Sequence, residues 1–355
     1  MAKSSPKPPA RALPVPNYVS PEVAPDGRAT IRYYHPKAKA VWCEVEWKDW
    51  EPIAMQRDAA GLWSCTTEPL APDIYEYGLF ADGARVIDYQ NPEAKNRFTS
   101  FLQVRGPGPA VYDPREVPHG TTHVHWYHSA VSGTERRMHV YTPPGYEANA
   151  AQRYPVLYLL HGLGDEDDGW VRTGRANFIL DNLLAGGRTL PMVVAMPEGH
   201  ALGNDWADRR AEQMQAFASE FYDHVMPEVE RLYRVGRVPR ERALAGLSMG
   251  GAQTVCIGLT RPEMFSAFGV FSSGLWPELT PMLEKTLPQL RTNPPKVLWI
   301  GIGKRDFLYK NCCSLRSYLD LAGTAYTYHE DDTAHSWRAW RDYLERFAPL
   351  LFRAT

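Results

Sequence analysis

Ala245-Gly246-Leu247-Ser248-Met249-Gly250-Gly251 is the stretch on which the reading of this chain turns. It has the form G-x-S-x-G. It follows the apolar Ala243-Leu244-Ala245 and opens a stretch of helical composition from Gln253 to Leu259. Without those flanks the pattern is common by chance. With them it describes a sharp strand-to-helix turn that lifts a serine hydroxyl above the edge of a sheet. Gly246 and Gly250, two before and two after Ser248, leave room, because a Cβ at either place would meet the backbone of so tight a turn. The helix N-terminus below contributes partial positive charge, which suits a developing oxyanion. The turn therefore predicts a serine hydrolase.

The rest of the chain bounds that reading. Its 355 residues suggest two or three domains. A hydrophobic content of 44% is that of a globular protein with a real core. A net charge of −2 offers no electrostatic footprint for nucleic acid. No apolar run approaches the ~20 residues of a membrane span, so no membrane partner is expected. Oligomeric state is not legible. The five cysteines, Cys43, Cys65, Cys256, Cys312 and Cys313, are too few and too scattered for a disulfide framework or a zinc site. Cys43 and Cys65 lie in neighbouring strand-like segments and can pair, but buried free thiols are the simpler expectation. No metal or organic cofactor is implied. The first residues are proline-rich and lack an apolar core of signal-peptide type. A native Met1 would place the protein in the cytoplasm, whereas a removed leader would make it secreted or periplasmic.

Pattern changes divide the chain. Residues 1–25, rich in Pro, Ala and Lys, read as a flexible leader. Residues 26–104 hold short alternating segments at Arg28–Tyr34, Ala40–Trp47, Leu62–Thr67, Ile74–Ala81 and Ala84–Asp88. Asp82-Gly83 between the last two marks a hairpin. This spacing predicts a small β-sandwich. Residues 105–120, with Gly106-Pro107-Gly108-Pro109, read as a linker. From 121 to 355 the rhythm is βα. Strands are expected at His123–His128, Arg137–Tyr141, Val156–Leu160, Met192–Met196, Arg242–Ala245, Ala267–Phe271, Val297–Ile302 and Ala325–His329. Helices are expected at Ala176–Leu184, Gln213–Tyr233, Ala252–Thr260, Ser314–Leu321 and Ser336–Phe347. The expected class is α/β: a mainly parallel α/β-hydrolase sheet covered on both faces.

A serine at its ordinary pKa is a poor nucleophile and needs a base, itself oriented by an acid. In this fold the chain order is Ser, acid, His. Asp306 follows the strand Val297–Ile302 at its carboxyl end, where open α/β sheets place their sites. It is the expected acid; Asp331 and Asp332 stand only a few residues before the best histidine and flank it. That histidine is His335, in the short loop between the last strand and the final helix. The oxyanion hole needs two backbone N–H donors. Met249, after the nucleophile, supplies one. Leu163, in Leu160-His161-Gly162-Leu163-Gly164, supplies the other, with His161 bracing the loop.

Several motifs in order now resemble a family. They are Tyr154-Pro155-Val156-Leu157-Tyr158-Leu159-Leu160-His161-Gly162, Gly169-Trp170, Asn177-Phe178-Ile179-Leu180-Asp181-Asn182-Leu183 and Ala245–Gly251. Together they resemble the esterase D-like enzymes of carbohydrate esterase family 1, over residues 120–352. That family includes feruloyl and acetylxylan esterases; enterochelin esterases, S-formylglutathione hydrolases and mycolyltransferases are relatives. The earlier segment resembles a family 48 carbohydrate-binding module (CBM48), which implies an immunoglobulin-like β-sandwich. It does so through Gly61-Leu62-Trp63, Pro69 to Tyr77, Asp82-Gly83 and Asp88-Tyr89-Gln90-Asn91-Pro92, with Asp88-Tyr89 departing from the usual Asp-Pro.

The resemblance implies a serine esterase acting on plant polysaccharide esters, most simply a feruloyl esterase. The partner is an ester substrate on a glycan or a small aromatic acid. An acetylxylan esterase and an enterochelin-like siderophore esterase are the alternatives. The last would need cations, and Arg172, Arg175, Arg209 and Arg210 are the candidates. Trp170, Trp206, Trp276 and Trp337, with Glu198, are expected to line an acyl or glycan cleft. The polar stretch 199–212 is expected to be a loop able to act as a lid.

Overall fold

Near-continuous apolar runs flanked by turn residues build the larger part of the molecule. The structure is a computed structural model that describes residues 15–93, 99–203, 205–206, 208–284 and 286–353. The chain divides into two compact units, Met1–Gly106 and Pro107–Thr355.

In the first unit the strands are β1 (Glu22–Val23), β2 (Ala29–Tyr34), β3 (Val41–Val45), β4 (Pro52–Ala54), β5 (Gln56–Arg57), β6 (Leu62–Thr66), β7 (Asp73–Ala81), β8 (Ala84–Val86) and β9 (Ser100–Val104). They form two antiparallel sheets. One runs β1-β2-β6-β5; the other runs β4-β3-β7-β8, with β9 also on β7. Alternation puts Ala29, Ile31 and Tyr33 of β2 against Val41, Cys43 and Val45 of β3 and Tyr75, Tyr77 and Leu79 of β7. Asp82 and Gly83 both take positive φ, 48° and 87°, as the tight turn of the β7–β8 hairpin requires. Cys43 and Cys65 face each other with their Sγ atoms 3.3 Å apart, as free thiols.

Part of the expected leader belongs to this unit. Tyr18 and Ser20 are buried, and Ser20 Oγ donates to Asp88 Oδ2 at 2.7 Å. The pairing of β1 with β2 explains why the segment is held despite its composition. Residues 1–14 lie outside the described residues. The sandwich's four tryptophans divide. Trp63 is in the core, Trp47 packs edge-on to Tyr75, Trp42 stacks on Phe80, and Trp50 is exposed.

The second unit is built on eight strands: β10 (Thr121–Ser129), β11 (Thr134–Thr142), β12 (Val156–Leu160), β13 (Val193–Pro197), β14 (Arg242–Leu247), β15 (Ala267–Phe271), β16 (Val297–Gly303) and β17 (Thr327–Asp331). Their order is β10-β11-β13-β12-β14-β15-β16-β17. β10 and β11 are antiparallel to their neighbours, and the other six strands are parallel. The helices are α1 (Gly169–Arg172), α2 (Ala176–Ala185), α3 (Arg210–Glu220), α4 (Met226–Leu232), α5 (Met249–Gln253), α6 (Thr280–Glu284), α7 (Leu287–Thr292), α8 (Tyr309–Ala322) and α9 (Trp337–Phe347). A wider helical turn at Phe221–Val225 joins α3 to α4, and another at Thr254–Gly258 extends α5. No helix among the described residues is long and apolar enough to cross a membrane.

Every residue of β12, β13, β14 and β15 is buried, as expected for strands covered on both faces. Period-2 alternation sorts their side chains into two cores. Val156, Tyr158, Leu244 and Phe268 join Phe217 and Phe221 on one face; Leu157, Leu159, Ala243 and Ala245 join Ile179, Tyr343 and Phe347 on the other. The helix α9 buries Trp337, Trp340, Arg341, Tyr343, Leu344 and Phe347, the stripe of an amphipathic helix. The expected linker is likewise tied to this unit. Asn182 Nδ2 donates to the carbonyls of Val111 at 2.7 Å and Asp113 at 2.8 Å, and His119 meets Asp181 at 2.8 Å.

The chain leaves β12 for β13 on one side and returns to β14 on the other. This reversal opens a crevice at the carboxyl edge of the sheet, where ligand sites of open α/β sheets fall.

Candidate active site

Ser248 stands between β14 and α5 with φ 51° and ψ −113°, a conformation that non-glycine residues avoid at a cost of about 1–3 kcal/mol. Its surroundings hold it there. The Ser248 amide donates to the Phe271 carbonyl at 2.9 Å, and its own carbonyl accepts from Ser273 Oγ at 2.8 Å and the Ala252 amide at 3.0 Å. The two flanking glycines are obligatory for different reasons. A Cβ on Gly246 would lie 2.4 Å from the Gly250 carbonyl carbon, inside the turn itself. A Cβ on Gly250 would lie 2.6 Å from the His161 carbonyl oxygen and 2.7 Å from Leu160 Cβ. The second contact is with the loop after β12, so Gly250 lets that loop approach the serine.

His335 reaches Ser248 from the loop between β17 and α9. Its Nε2 is 2.9 Å from Ser248 Oγ. Its Nδ1 is 2.9 and 3.0 Å from the two oxygens of Asp306. Asp306 is buried at the turn after β16 and also accepts the Leu308 amide at 2.8 Å. Buried acceptors on Nδ1 place the proton there and leave the Nε2 lone pair facing the hydroxyl. The imidazole sits between two aromatic rings. Trp340 packs edge-on beneath it at 5.0 Å, and Phe307 lies tilted against it at 4.4 Å.

The loop after β12 is braced from behind. His161 is buried, and its Nδ1 lies 2.8 Å from the Gly162 carbonyl oxygen. A trans peptide points its C=O and N–H in opposite directions. The bond that holds the Gly162 carbonyl inward therefore turns the Leu163 amide away from His161. The Met249 amide, first in α5, has no acceptor within its helix. The Gly199 amide donates to His161 Nε2 at 2.8 Å, while Glu198 Oε1 lies 3.4 Å from the same nitrogen. Burial lowers the proton affinity of His161, but the Glu198 charge raises it further, to about 9. Those influences favour the charged ring; the Gly199 bond requires a lone pair on Nε2. The 2.8 Å amide contact is the directional one and fixes the proton on Nδ1. Burial opposes ionisation of Glu198 as well, yet the His200 amide and Nδ1, 2.9 and 2.6 Å from Glu198 Oε1, help hold it below the usual carboxylate range.

His161 Nε2, Glu198 Oε1 and His200 Nδ1 lie within 4.8 Å of one another, close enough to share a cation. All three atoms already have partners: the Gly199 amide on Nε2, and a 2.6 Å bond between Glu198 and His200. The cluster is a hydrogen-bonded brace. A second group, His329, Asp331 and Asp342, has the same spacing, and its Asp342 is bound by Arg346 at 2.6 Å.

The residues expected to line a cleft are placed differently. Trp170 of α1 and Trp337 of α9 are 1% and 2% exposed and pack edge to face at 5.1 Å in the core. Trp170 Nε1 donates to the Leu160 carbonyl at 2.9 Å, so this indole supports the loop instead of facing a substrate. Trp206 is buried in the other core. Trp276 is partly buried, with the Arg210 guanidinium over its ring at 5.3 Å. Indoles carry too much apolar area to stay solvated when a sheet face is near. Glu198 turns inward to the brace. The expected lid is pinned at its start, where Gln213 Nε2 donates to Gly203 O at 2.9 Å; Asn204 and Ala207 lie outside the described residues. Sequence reasoning passed over Phe307, 73% exposed beside the histidine. Its signal was a large apolar residue in the polar turn Lys304-Arg305-Asp306-Phe307.

Residues 129–350 match the Esterase family, so the chain belongs to it and is an esterase-family hydrolase. The chain is 30% identical to an endo-1,4-beta-xylanase/feruloyl esterase of Xylanibacter ruminicola over 344 residues, 94% of this chain and 46% of that protein. It spans about half the length of the curated relatives it matches. Among solved structures, a CE1 ferulic acid esterase from Anaeromyces mucronatus superposes with a TM-score of 0.61 at 26% identity, covering 69% of this chain and 96% of that one. Enterochelin esterase from Shigella flexneri superposes with a TM-score of 0.68 at 17% identity, covering 93% and 94%, and so shares the fold.

Proposed function

We propose that this protein is a feruloyl-type esterase that cleaves an aromatic acid from a polysaccharide sugar. The observation that carries the chemistry is the unbroken chain of hydrogen bonds Ser248–His335–Asp306. Ser248 Oγ attacks the ester carbonyl while His335 Nε2 takes its proton. Asp306 keeps His335 in the correct tautomer and stabilises the imidazolium. The amides of Leu163 and Met249 receive the oxyanion. Collapse of the tetrahedral intermediate breaks the bond to the sugar oxygen, which takes the proton from His335 and leaves as the alcohol. Water then attacks the acyl-serine with His335 again as base, which releases the free acid and restores Ser248.

Aromatic acyl substrates are favoured by the relatives, whose names include ferulic acid esterases. The siderophore reading finds less support. Arg175, Arg209 and Arg210 pair with Asp113, Asp205 and Glu278 respectively, and Arg172 lies 4.0 Å from Asp168. Those cations are already compensated and offer a polyanion little. The first unit, a two-sheet sandwich, is read as a family 48 carbohydrate-binding-module-like domain, and residues 105–120 as the segment between it and the esterase domain. The test is release of ferulate from methyl ferulate, against an acetylated xylo-oligosaccharide and a ferric catecholate trilactone, by wild type and Ser248→Ala. Serine-dependent preference for ferulate supports the proposal; preference for either other ester overturns it.

A further inference from the structure

Phe307 is anomalous. It is a 73% exposed phenyl ring, yet its ring centroid is only 4.4 Å from that of His335. The turn leaves it no choice. Asp306 and Leu308 on either side are buried, at 3% and 8% exposure. Three bonds close the turn around it: Asp306 amide to Gly303 carbonyl at 3.0 Å, Leu308 amide to Asp306 Oδ1 at 2.8 Å, and Tyr309 amide to Asp306 carbonyl at 3.0 Å. With both neighbours committed inward, Phe307 projects outward over the imidazole. Trp340 holds the buried side of that imidazole.

We infer that Phe307 is the leaving-group contact, the surface on which the sugar of the ester packs as it departs. The inference rests on the esterase reading above and deepens it. The argument comes from where the proton must go. The alcohol oxygen has to stand within hydrogen-bond reach of His335 Nε2 to receive its proton. The carbonyl oxygen is held away from His335, by the amides of the loop after β12 and of α5. The acyl and alcohol halves of the ester therefore part at Ser248, and the alcohol half emerges on the His335 side. Among the described residues, the exposed aromatic ring packed against His335 is Phe307. A pyranose or furanose presents a face of C–H groups that packs on an aromatic ring while its hydroxyls stay in water.

The experiment holds the acyl group constant and varies the alcohol. Methyl ferulate and a feruloyl-arabinose oligosaccharide give the same acyl-enzyme, so any difference between them lies in acylation. Wild type, Phe307→Ala and Phe307→Tyr are compared on both. Phe307→Ala is expected to lower kcat/KM for the sugar ester about tenfold more than for methyl ferulate, the worth of roughly 50 Å² of apolar contact. Phe307→Tyr, which keeps the ring, is expected to restore the ratio. An unchanged ratio overturns the inference. In that case an equal loss with slower deacylation and a displaced pH profile makes Phe307 a support for His335, and an equal loss without them makes it an acyl contact. If wild type cleaves neither feruloyl ester, the feruloyl reading fails by itself. The matched pair then becomes acetyl-sugar and methyl acetate, on which the same ratio decides the role of Phe307.

Discussion

Asp306→Asn should abolish nearly all activity while leaving the fold intact, because of how the Leu308 amide would orient the new side chain. In the native site Asp306 Oδ1 accepts the Leu308 amide at 2.8 Å, and His335 Nδ1 lies 2.9 Å from Oδ2. An asparagine keeps one oxygen. If that oxygen retains the Leu308 bond, the new NH₂ takes the Oδ2 position and donates to His335 Nδ1. That contact favours the ring with its proton on Nε2, facing Ser248 Oγ 2.9 Å away and unable to accept the serine proton; the oxygen kept at the Oδ1 position, 3.0 Å from Nδ1 and already shared with the Leu308 amide, is the weaker competitor. The alternative flip would set the NH₂ against the Leu308 N–H in a buried turn, which costs more. The expected loss is on the order of 10⁴ in kcat, or about 5.5 kcal/mol of transition-state stabilisation. Burst kinetics with 4-nitrophenyl acetate read it directly, since acylation should become slow enough to remove the burst. Thermal denaturation checks that the variant is folded. A loss below tenfold in a folded variant would refute the tautomer argument and demote Asp306 to a packing residue.

Three further perturbations separate other parts of the argument. Gly250→Ala places a Cβ 2.6 Å from the His161 carbonyl oxygen, so it should cost at least about 2 kcal/mol in urea denaturation despite the better helix propensity of alanine. Trp170→Phe removes the buried bond to the Leu160 carbonyl, and a calorimetric Tm should fall by an amount equivalent to about 1–2 kcal/mol. Asp167 tests pH dependence: burial would raise its pKa, but hydrogen bonds from His139 and Arg137 outweigh burial and hold it below the usual value. A carboxyl depressed in the folded state adds stability above its unfolded pKa of about 3.9, and that stability is lost as pH falls. Asp167→Asn should therefore lower stability at pH 7 by roughly 2 kcal/mol and flatten the acid limb of a urea-midpoint profile. An acid limb as steep as that of wild type would show that the carboxylate is not responsible.

Local pattern carried far in this chain. Strands such as Val156–Leu160 and Ala267–Phe271 stand where their apolar runs begin and end, because a strand buried on both faces needs an uninterrupted run. Asp82-Gly83 closes its hairpin because only such residues tolerate two successive positive φ values. Short strands such as Glu22–Val23 and Gln56–Arg57 were not legible, since their existence depends on a neighbouring edge and not on their own residues. Breaks near Phe221 and Thr254 were hidden inside runs of helical composition.

The sequence by itself determined the strand-to-helix turn at Ser248, the candidate order Ser248, Asp306, His335, and the loop from Leu160 to Gly164. The turn is set by backbone demands that only certain residues meet at fixed spacing, and Asp306 and His335 by the strand ends they follow. The tertiary structure alone decided which aromatic rings see solvent. Trp170 and Trp337 sit on the faces of α1 and α9 that pack into the core, whereas Phe307 is forced outward by a turn whose neighbours are both buried. Burial depends on what packs against a residue from elsewhere in the chain, and side-chain type records a preference for it without fixing the partner.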